Sequence, residues 1–213
     1  MPRVNRFGFP ITALGPGRRL AVWFQGCALA CRGCLARDTW DPGGGADRTV
    51  ADLTRLWTDA LRAGADGLTV SGGEPLAQPD GLAAFLAAAA GVRDDLAPDA
   101  DLLVYTGHEP AEITDPAPLA HADAVITGRY DVTRPTRLIW RGSANQILTP
   151  RTPRGRARYA PYLDHEPERA PMQVAVNDRH VWFAGVPRRG DLNRLRRELA
   201  DRGVTFEEVS WRS

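Results

Sequence analysis

Residues 19–34 read Arg19-Leu20-Ala21-Val22-Trp23-Phe24-Gln25-Gly26-Cys27-Ala28-Leu29-Ala30-Cys31-Arg32-Gly33-Cys34. An apolar run of strand length passes through a glycine into a loop that carries three cysteines. The run predicts a buried strand over residues 19–25 that delivers the chain into the loop. It is apolar at successive rather than alternate positions, which is the pattern of a strand covered on both faces in a parallel sheet.

The stretches that follow fit the same sheet. Val50, Leu53, Leu56, Trp57, Ala60 and Leu61 recur at helical spacing and predict a helix over residues 48–63. Residues 67–70 form a short β-like run that ends at Ser71-Gly72-Gly73-Glu74-Pro75. Pro79-Asp80 opens the next helix, with proline near its start. Residues 101–105 predict a third strand, followed by the turn Thr106-Gly107-His108, and residues 122–127 a fourth. Strands alternating with helices predict an α/β fold with a parallel sheet. The loops 26–38, 71–78 and 106–109 then follow the carboxyl ends of strands, the edge where such folds bind ligands.

Residues 129–158 change character, with eight arginines and one acid among several prolines and glycines. They read as an irregular segment crossing the mouth of the sheet. The pattern resumes at Pro171: a strand over 172–176, a turn at Asn177-Asp178 and a returning strand over 181–184. Asp191 is placed to cap a helix carrying Leu192, Leu195 and Leu199, with Gly203 as its stop and a last strand over 204–209. The expected organisation is a core over 1–150, an irregular linker over 151–170, and an α/β segment over 171–213 that completes or caps the core.

Composition narrows the function. Hydrophobic residues are 43% and charged residues 25% of the 213, as in an ordinary globular protein. The formal net charge of +1 gives no whole-chain case for binding nucleic acid or a membrane surface. No leader pattern opens the chain, and no apolar run approaches the ~18 residues that span a bilayer. The cytoplasm is the expected compartment.

Cys27, Cys31 and Cys34 are the only cysteines, and an odd number in one cluster does not suit a disulfide scaffold. A buried free cysteine is usually a small hydrophobe, but three in a loop bounded by glycine and arginine point to ligation. Zinc is one candidate; a closed zinc site needs a fourth ligand, and His108, His121, His165 and His180 are distant in sequence and unpaired. A [4Fe-4S] cluster with one exchangeable iron is the other, and suits three ligands better.

In this setting the chain resembles the radical S-adenosylmethionine (SAM) proteins, whose signature is this C-x3-C-x2-C loop after the first strand. It is similar in particular to the activating enzymes of glycyl radical enzymes and of anaerobic ribonucleotide reductase. The resemblance is carried by Gly15-Pro16-Gly17, by Trp23-Phe24-Gln25-Gly26-Cys27, and by Cys31-Arg32-Gly33-Cys34 with Thr39-Trp40. It continues through residues 67–75, Gln78, Tyr105-Thr106-Gly107 and Arg141-Gly142-Ser143-Ala144-Asn145-Gln146. It departs where Leu35-Ala36-Arg37 replaces an asparagine-proline pair and where His108 replaces an aromatic residue.

The resemblance implies a partial (βα)6 TIM-like barrel, open and shortened, with a small C-terminal α/β extension. It implies that Cys27, Cys31 and Cys34 ligate a [4Fe-4S] cluster, and that SAM is bound with help from Ser71, Gly72, Gly73, Glu74, Tyr105, Thr106, Asp123, Arg141, Ser143, Asn145 and Gln146. The activity implied is that of an oxidoreductase that cleaves SAM to a 5′-deoxyadenosyl radical and makes a glycyl radical on a partner protein. Reduced flavodoxin or ferredoxin would be the electron donor. Two alternatives stand beside it: the same radical chemistry on a peptide or small molecule, and a cluster- or zinc-binding interaction protein without turnover.

Overall fold

The computed structural model of the chain describes residues 1–176 and 181–204. A seven-stranded sheet carries the molecule, in the order β3-β1-β2-β4-β5-β6-β7. Its centre is four parallel strands: β2 (Arg19–Phe24), β4 (Gly67–Gly72), β5 (Asp101–Tyr105) and β6 (Ala124–Thr127). Antiparallel strands close each side: β1 (Arg3–Ile11) and β3 (Ala46–Asp47) on one, β7 (Ile147–Pro150) on the other. The expected α/β class and parallel core are present, in an open sheet.

Helices α1 (Val50–Arg62) and α2 (Pro79–Leu96) cover one face. Leu20, Val22 and Phe24 point to that side and share a core with Leu53, Trp57, Leu82, Phe85 and Leu86. Full burial of such side chains is worth about 1.5–3 kcal/mol each. Trp57 also donates from Nε1 to the Ala89 carbonyl at 3.1 Å, tying α1 to α2. The alternate residues face the other way. Ala21 and Trp23 pack with Ile11 and Leu14, while Leu103 and Ile126 pack with Trp140 and Tyr159. Both faces are therefore buried, which is why β2 is apolar from Leu20 to Phe24.

Residues 151–170, read from sequence as an irregular linker, contain helix α3 (Pro153–Tyr159), capped by Thr152 Oγ1, which accepts from Gly155 N at 3.0 Å. Tyr159 is fully buried against the sheet. The many arginines hid this helix, because its apolar contact is made by one aromatic residue and not by a periodic stripe. Strand β7 (Ile147–Pro150) carries little signal in the sequence either: it is four residues long, ends in proline, and buries only Leu148 well.

The two strands of the C-terminal hairpin, β8 (Met172–Val176) and β9 (Val181–Gly185), pair antiparallel. Trp182 meets Trp23 edge-on at 6.3 Å between ring centroids. Gln173 accepts from Thr12 N at 2.9 Å and donates to the Pro10 carbonyl at 2.8 Å. The hairpin therefore lies over the face opposite α1 and α2. Helix α4 (Asp191–Ala200) follows, with Gly190 and not Asp191 at the cap position. Asp191 instead accepts from Arg188 N at 2.8 Å. The expected turn at Asn177-Asp178 and the strand over 204–209 lie outside the described residues, apart from Val204. No helix among the described residues is long and apolar enough to cross a membrane.

Candidate metal and cofactor site

The loops that follow β2, β4 and β5 meet at one end of the parallel strands. The cysteine loop is pinched at its neck by main-chain bonds: Gly26 N to the Thr39 carbonyl at 2.7 Å and Cys27 N to the Trp40 carbonyl at 3.1 Å. Gln25 is buried beside the neck. Its Nε2 donates to the Asp41 carbonyl at 2.6 Å, and its Oε1 accepts from Asn5 Nδ2 at 2.8 Å. Gln78 locks the same corner, donating to the Gln25 carbonyl at 2.8 Å and accepting from Arg3 N at 2.6 Å. These two glutamines hold the loop in place, yet from sequence they carried no role. The available signals were an amide beside glycine at the exit of β2 for Gln25, and an amide immediately before the proline that opens α2 for Gln78.

Within the loop, Ala30 has φ of 46°, in the left-handed region where residues other than glycine are uncommon. Cys34 N donates to the Cys31 carbonyl at 3.1 Å. All three thiols are free and half-buried. Burial pushes the Cys27 and Cys31 thiols up, opposed at Cys27 by the Leu29 backbone and at Cys31 by the Tyr130 backbone. Among the described residues no three His, Cys, Asp or Glu side chains already converge as a metal cage. The donor set itself fits a cluster: three soft sulfurs on one loop whose neck is fixed.

The glycines after β4 have a reason that is visible in the backbone. Gly72 has φ of 115°, and a Cβ there would fall 2.3 Å from Phe24 N. A Cβ on Gly73 would fall 2.3 Å from the Gly26 carbonyl oxygen and 3.0 Å from that of Thr39. This close approach lets Gly73 N bond the Phe24 carbonyl and Glu74 N bond the Gly26 carbonyl, each at 2.8 Å. The sequence suggested that these glycines let the backbone approach a ligand; the approach visible in the structure is to the neck of the cysteine loop. Gly73→Ala is accordingly expected to lose about 1–3 kcal/mol of stability, because the obstacle is backbone and cannot rotate away. Denaturant unfolding of the metal-free protein measures this, and an unchanged midpoint would refute the steric account.

Glu74 is buried, and its oxygens are engaged. Oε1 accepts from Leu76 N and from Thr106 Oγ1, both at 2.8 Å, and Oε2 accepts from Gly107 N at 2.7 Å. Burial pushes its carboxyl pKa up, against those hydrogen bonds. Glu74 thus braces the β4 exit to the β5 exit. Ser71 stands opposite Trp23, one pair before the parallel ladder ends at Phe24 and Gly72. Ser71, Gly72, Gly73, Glu74 and Thr106 are therefore brought together beside the cysteine loop.

The other expected cofactor residues divide. Tyr105 Oη and Asn145 Oδ1 are buried, and neither has a hydrogen-bond partner among the described residues. Burial also pushes the Tyr105 phenol up. Ser143 and Gln146 turn toward residues 128–131: Ser143 Oγ accepts from Asp131 N at 3.0 Å, and Gln146 Nε2 donates to the Gly128 carbonyl at 3.0 Å. Arg141 is tied to main-chain carbonyls, at 3.0 Å from that of Tyr162 and 2.7 Å from that of Leu163, and burial pushes its pKa down. Asp123 is not at this end of the sheet. It precedes β6, at the amino ends of the strands. Its Oδ2 accepts from Arg93 at 2.8 Å and Leu102 N at 2.9 Å, and its Oδ1 accepts from Thr152 at 2.6 Å. The acid-then-strand pattern that suggested a ligand reflects this buried ion pair.

A cleft of about 480 Å³ adjoins the cysteine loop, lined by Arg32, Glu109, Arg129, Tyr130, Arg134 and Asn145 among others. That volume lies within the range of small-ligand sites. The cleft and the unpaired Asn145 oxygen suit a polar ligand that carries both anionic and donor groups.

A family model described as a 4Fe-4S single cluster domain matches residues 13–149. The chain belongs to that family. It is 32% identical over 134 residues to the anaerobic ribonucleoside-triphosphate reductase-activating protein of Enterobacteria phage T4, covering 63% of this chain and 85% of that one. The protein of the same name from Vibrio cholerae is 33% identical over 151 residues, covering 66% and 93%. Pyruvate formate-lyase 1-activating enzyme of Escherichia coli is 40% identical over 81 residues, covering 37% of this chain and 33% of its own length. The chain is thus an enzyme of the radical SAM activating type with a 4Fe-4S domain. The matched region ends at β7, so α3, the C-terminal hairpin and α4 lie beyond it.

Proposed function

We propose that this protein binds a [4Fe-4S] cluster through Cys27, Cys31 and Cys34, cleaves SAM reductively, and generates a glycyl radical on a partner protein. The observation that carries the reading is the meeting of the three-cysteine loop with the Gly72-Gly73-Glu74 turn in a chain of this family. Cluster and SAM together would supply a 5′-deoxyadenosyl radical that abstracts a hydrogen atom. The protein's own residues position and exclude. Gly72 and Gly73 bring the β4 exit against the neck of the cysteine loop, and Glu74 fixes it to Thr106 and Gly107. Asn145 Oδ1 and Tyr105 Oη are free to accept or donate toward a polar ligand. Trp23 and Phe24, both buried, keep the entry strand dry.

On this reading the open sheet is a shortened portion of the radical SAM barrel, the protein works in the cytoplasm, and reduced flavodoxin or ferredoxin supplies the electron. The names of the relatives support a protein as the substrate. Modification of a peptide or small molecule is the second reading, favoured by the hairpin that covers part of the sheet face outside the matched region. The test is anaerobic reconstitution with iron and sulfide, then dithionite and SAM. Formation of 5′-deoxyadenosine and methionine is the expected result, and none from a cluster-loaded protein would overturn the reading. A glycyl radical signal in an added partner separates the protein substrate from the alternative.

A further inference from the structure

The segment Gly128-Arg129-Tyr130-Asp131 leans on the cysteine loop. A Cβ on Gly33 would lie 3.2 Å from Tyr130 Cε1 and 3.5 Å from Val132 Cγ2, so loop and segment are in contact. The Tyr130 backbone and the Arg129 charge both lie on the side of the loop where they favour the Cys31 thiolate, against the burial that pushes this thiol up. Beyond β6 the segment has left the sheet. Gly128 N bonds the His108 carbonyl at 2.9 Å and Arg129 pairs with Glu112 at 2.7 Å, and side chains from one short stretch hold the rest. Gln146 Nε2 donates to the Gly128 carbonyl at 3.0 Å, and Asn145 Nδ2 to the Arg129 carbonyl at 2.7 Å. Ser143 Oγ accepts from Asp131 N at 3.0 Å. Gln146 Oε1 in turn accepts from Gly142 N at 2.6 Å and Ser143 N at 3.3 Å, so the holding residues are themselves fixed.

We propose that Ser143, Asn145 and Gln146 are positioning residues that clamp residues 128–131 against the cysteine loop, holding Tyr130 on Gly33 and Arg129 in the same cleft wall as Arg32, and so tuning the cluster held there. A nearby cation stabilises the more negative, reduced state of a cluster and raises its potential. The amide nitrogens of Asn145 and Gln146 do the clamping; the Asn145 oxygen stays available to a ligand. The tuning rests on the proposed cluster ligation; the clamp itself does not.

Asn145→Asp and Gln146→Glu keep the shape and remove the donors. In the metal-free protein, peptide-resolved hydrogen exchange over residues 128–132 is expected to quicken several-fold, with the helices α1 and α2 unchanged. In the reconstituted protein without SAM, the cluster midpoint potential is expected to fall. Unchanged exchange overturns the clamp, even if the midpoint moves, since the added charge alone would then explain the shift. Unchanged exchange with weaker SAM binding would make these residues simple ligand contacts. Faster exchange with an unmoved midpoint overturns the link to the cluster. Gln146→Glu acts on Gly128, away from Cys31, and decides the matter if Asn145→Asp does not accumulate. A wild-type chain that takes up no cluster would sink the proposed function, while the exchange measurement would still judge the clamp.

Discussion

Cys31→Ala is expected to abolish cluster uptake and, with it, all production of 5′-deoxyadenosine. The thiol donors are Cys27, Cys31 and Cys34, with no further cysteine in the chain. Among the described residues no His, Asp or Glu group stands ready as a replacement cage. Loss of one sulfur from three leaves two, too few to hold a cubane with one open iron. The fold should survive. Cys31 is half-buried in a loop, and the neck bonds of Gly26 and Cys27 to Thr39 and Trp40 do not involve it. Metal-free variant and wild type should therefore differ by no more than about 1 kcal/mol in denaturant unfolding. The visible absorbance of the reconstituted protein is the primary readout. An alanine variant that still colours and cleaves SAM would show that a ligand outside this loop completes the site.

The parallel core was legible because its strands are short, mostly apolar runs, unbroken at residues 20–24 and 102–105, and each exit is marked by glycine or cysteine. Residues 101–105 could be bounded from sequence for that reason, and α1 because Leu53, Trp57 and Leu61 keep helical spacing. Strand β1 was not legible. Its pairing with β2 slips between Val4 and Arg6 and again between Gly8 and Ile11, so the alternation that announces an edge strand is broken twice. At the site, residue types and spacing indicated the cysteine loop and the Gly72-Gly73-Glu74 turn. They did not show that the glycines make room for the neck of the cysteine loop, because a close approach to another backbone and a close approach to a ligand leave the same mark. Nor did they separate Asp123 and Arg141 from cofactor contacts. A buried charge with internal partners and a charge awaiting a ligand are identical in sequence; Arg93, Thr152 and the Leu163 carbonyl make the difference.

The two ends of the parallel strands divide the work. Loops with open valence stand at the carboxyl ends, and a closed polar plug stands at the amino ends. The plug centres on Arg19 and Asp101, the first residues of β2 and β5, both with no exposed side-chain surface. The pair is bidentate, at 2.9 Å and 2.8 Å. Arg19 Nε also donates to Thr69 Oγ1 at 2.6 Å, and Tyr159 donates its hydroxyl to Asp101. Burial is the largest single influence on Arg19 and works against its charge; Asp101, with Tyr159 and Tyr105, offsets it, and the guanidinium pKa stands raised.

Asp101→Ala would leave that guanidinium buried without a counter-ion and the Tyr159 hydroxyl without its acceptor. A broken buried pair costs about 3–5 kcal/mol, a large share of the 5–15 kcal/mol typical of a whole domain. At roughly 2–4 °C per kcal/mol for a chain of this size, the thermal midpoint should fall by about 10 °C. Replacing both partners, as Arg19→Met with Asp101→Leu, should recover the part of the loss that lies in the unpaired charge, while the Tyr159 hydroxyl and the Pro16 and Leu68 carbonyls still lack their partners. Whatever fraction of Asp101→Ala folds should take up cluster with an unaltered spectrum, since the plug lies at the far end of the strands from Cys27, Cys31 and Cys34. A loss below about 1 kcal/mol would mean that water reaches Arg19 and that the plug is not sealed. A changed spectrum at full loading would mean instead that the two ends of the sheet are coupled.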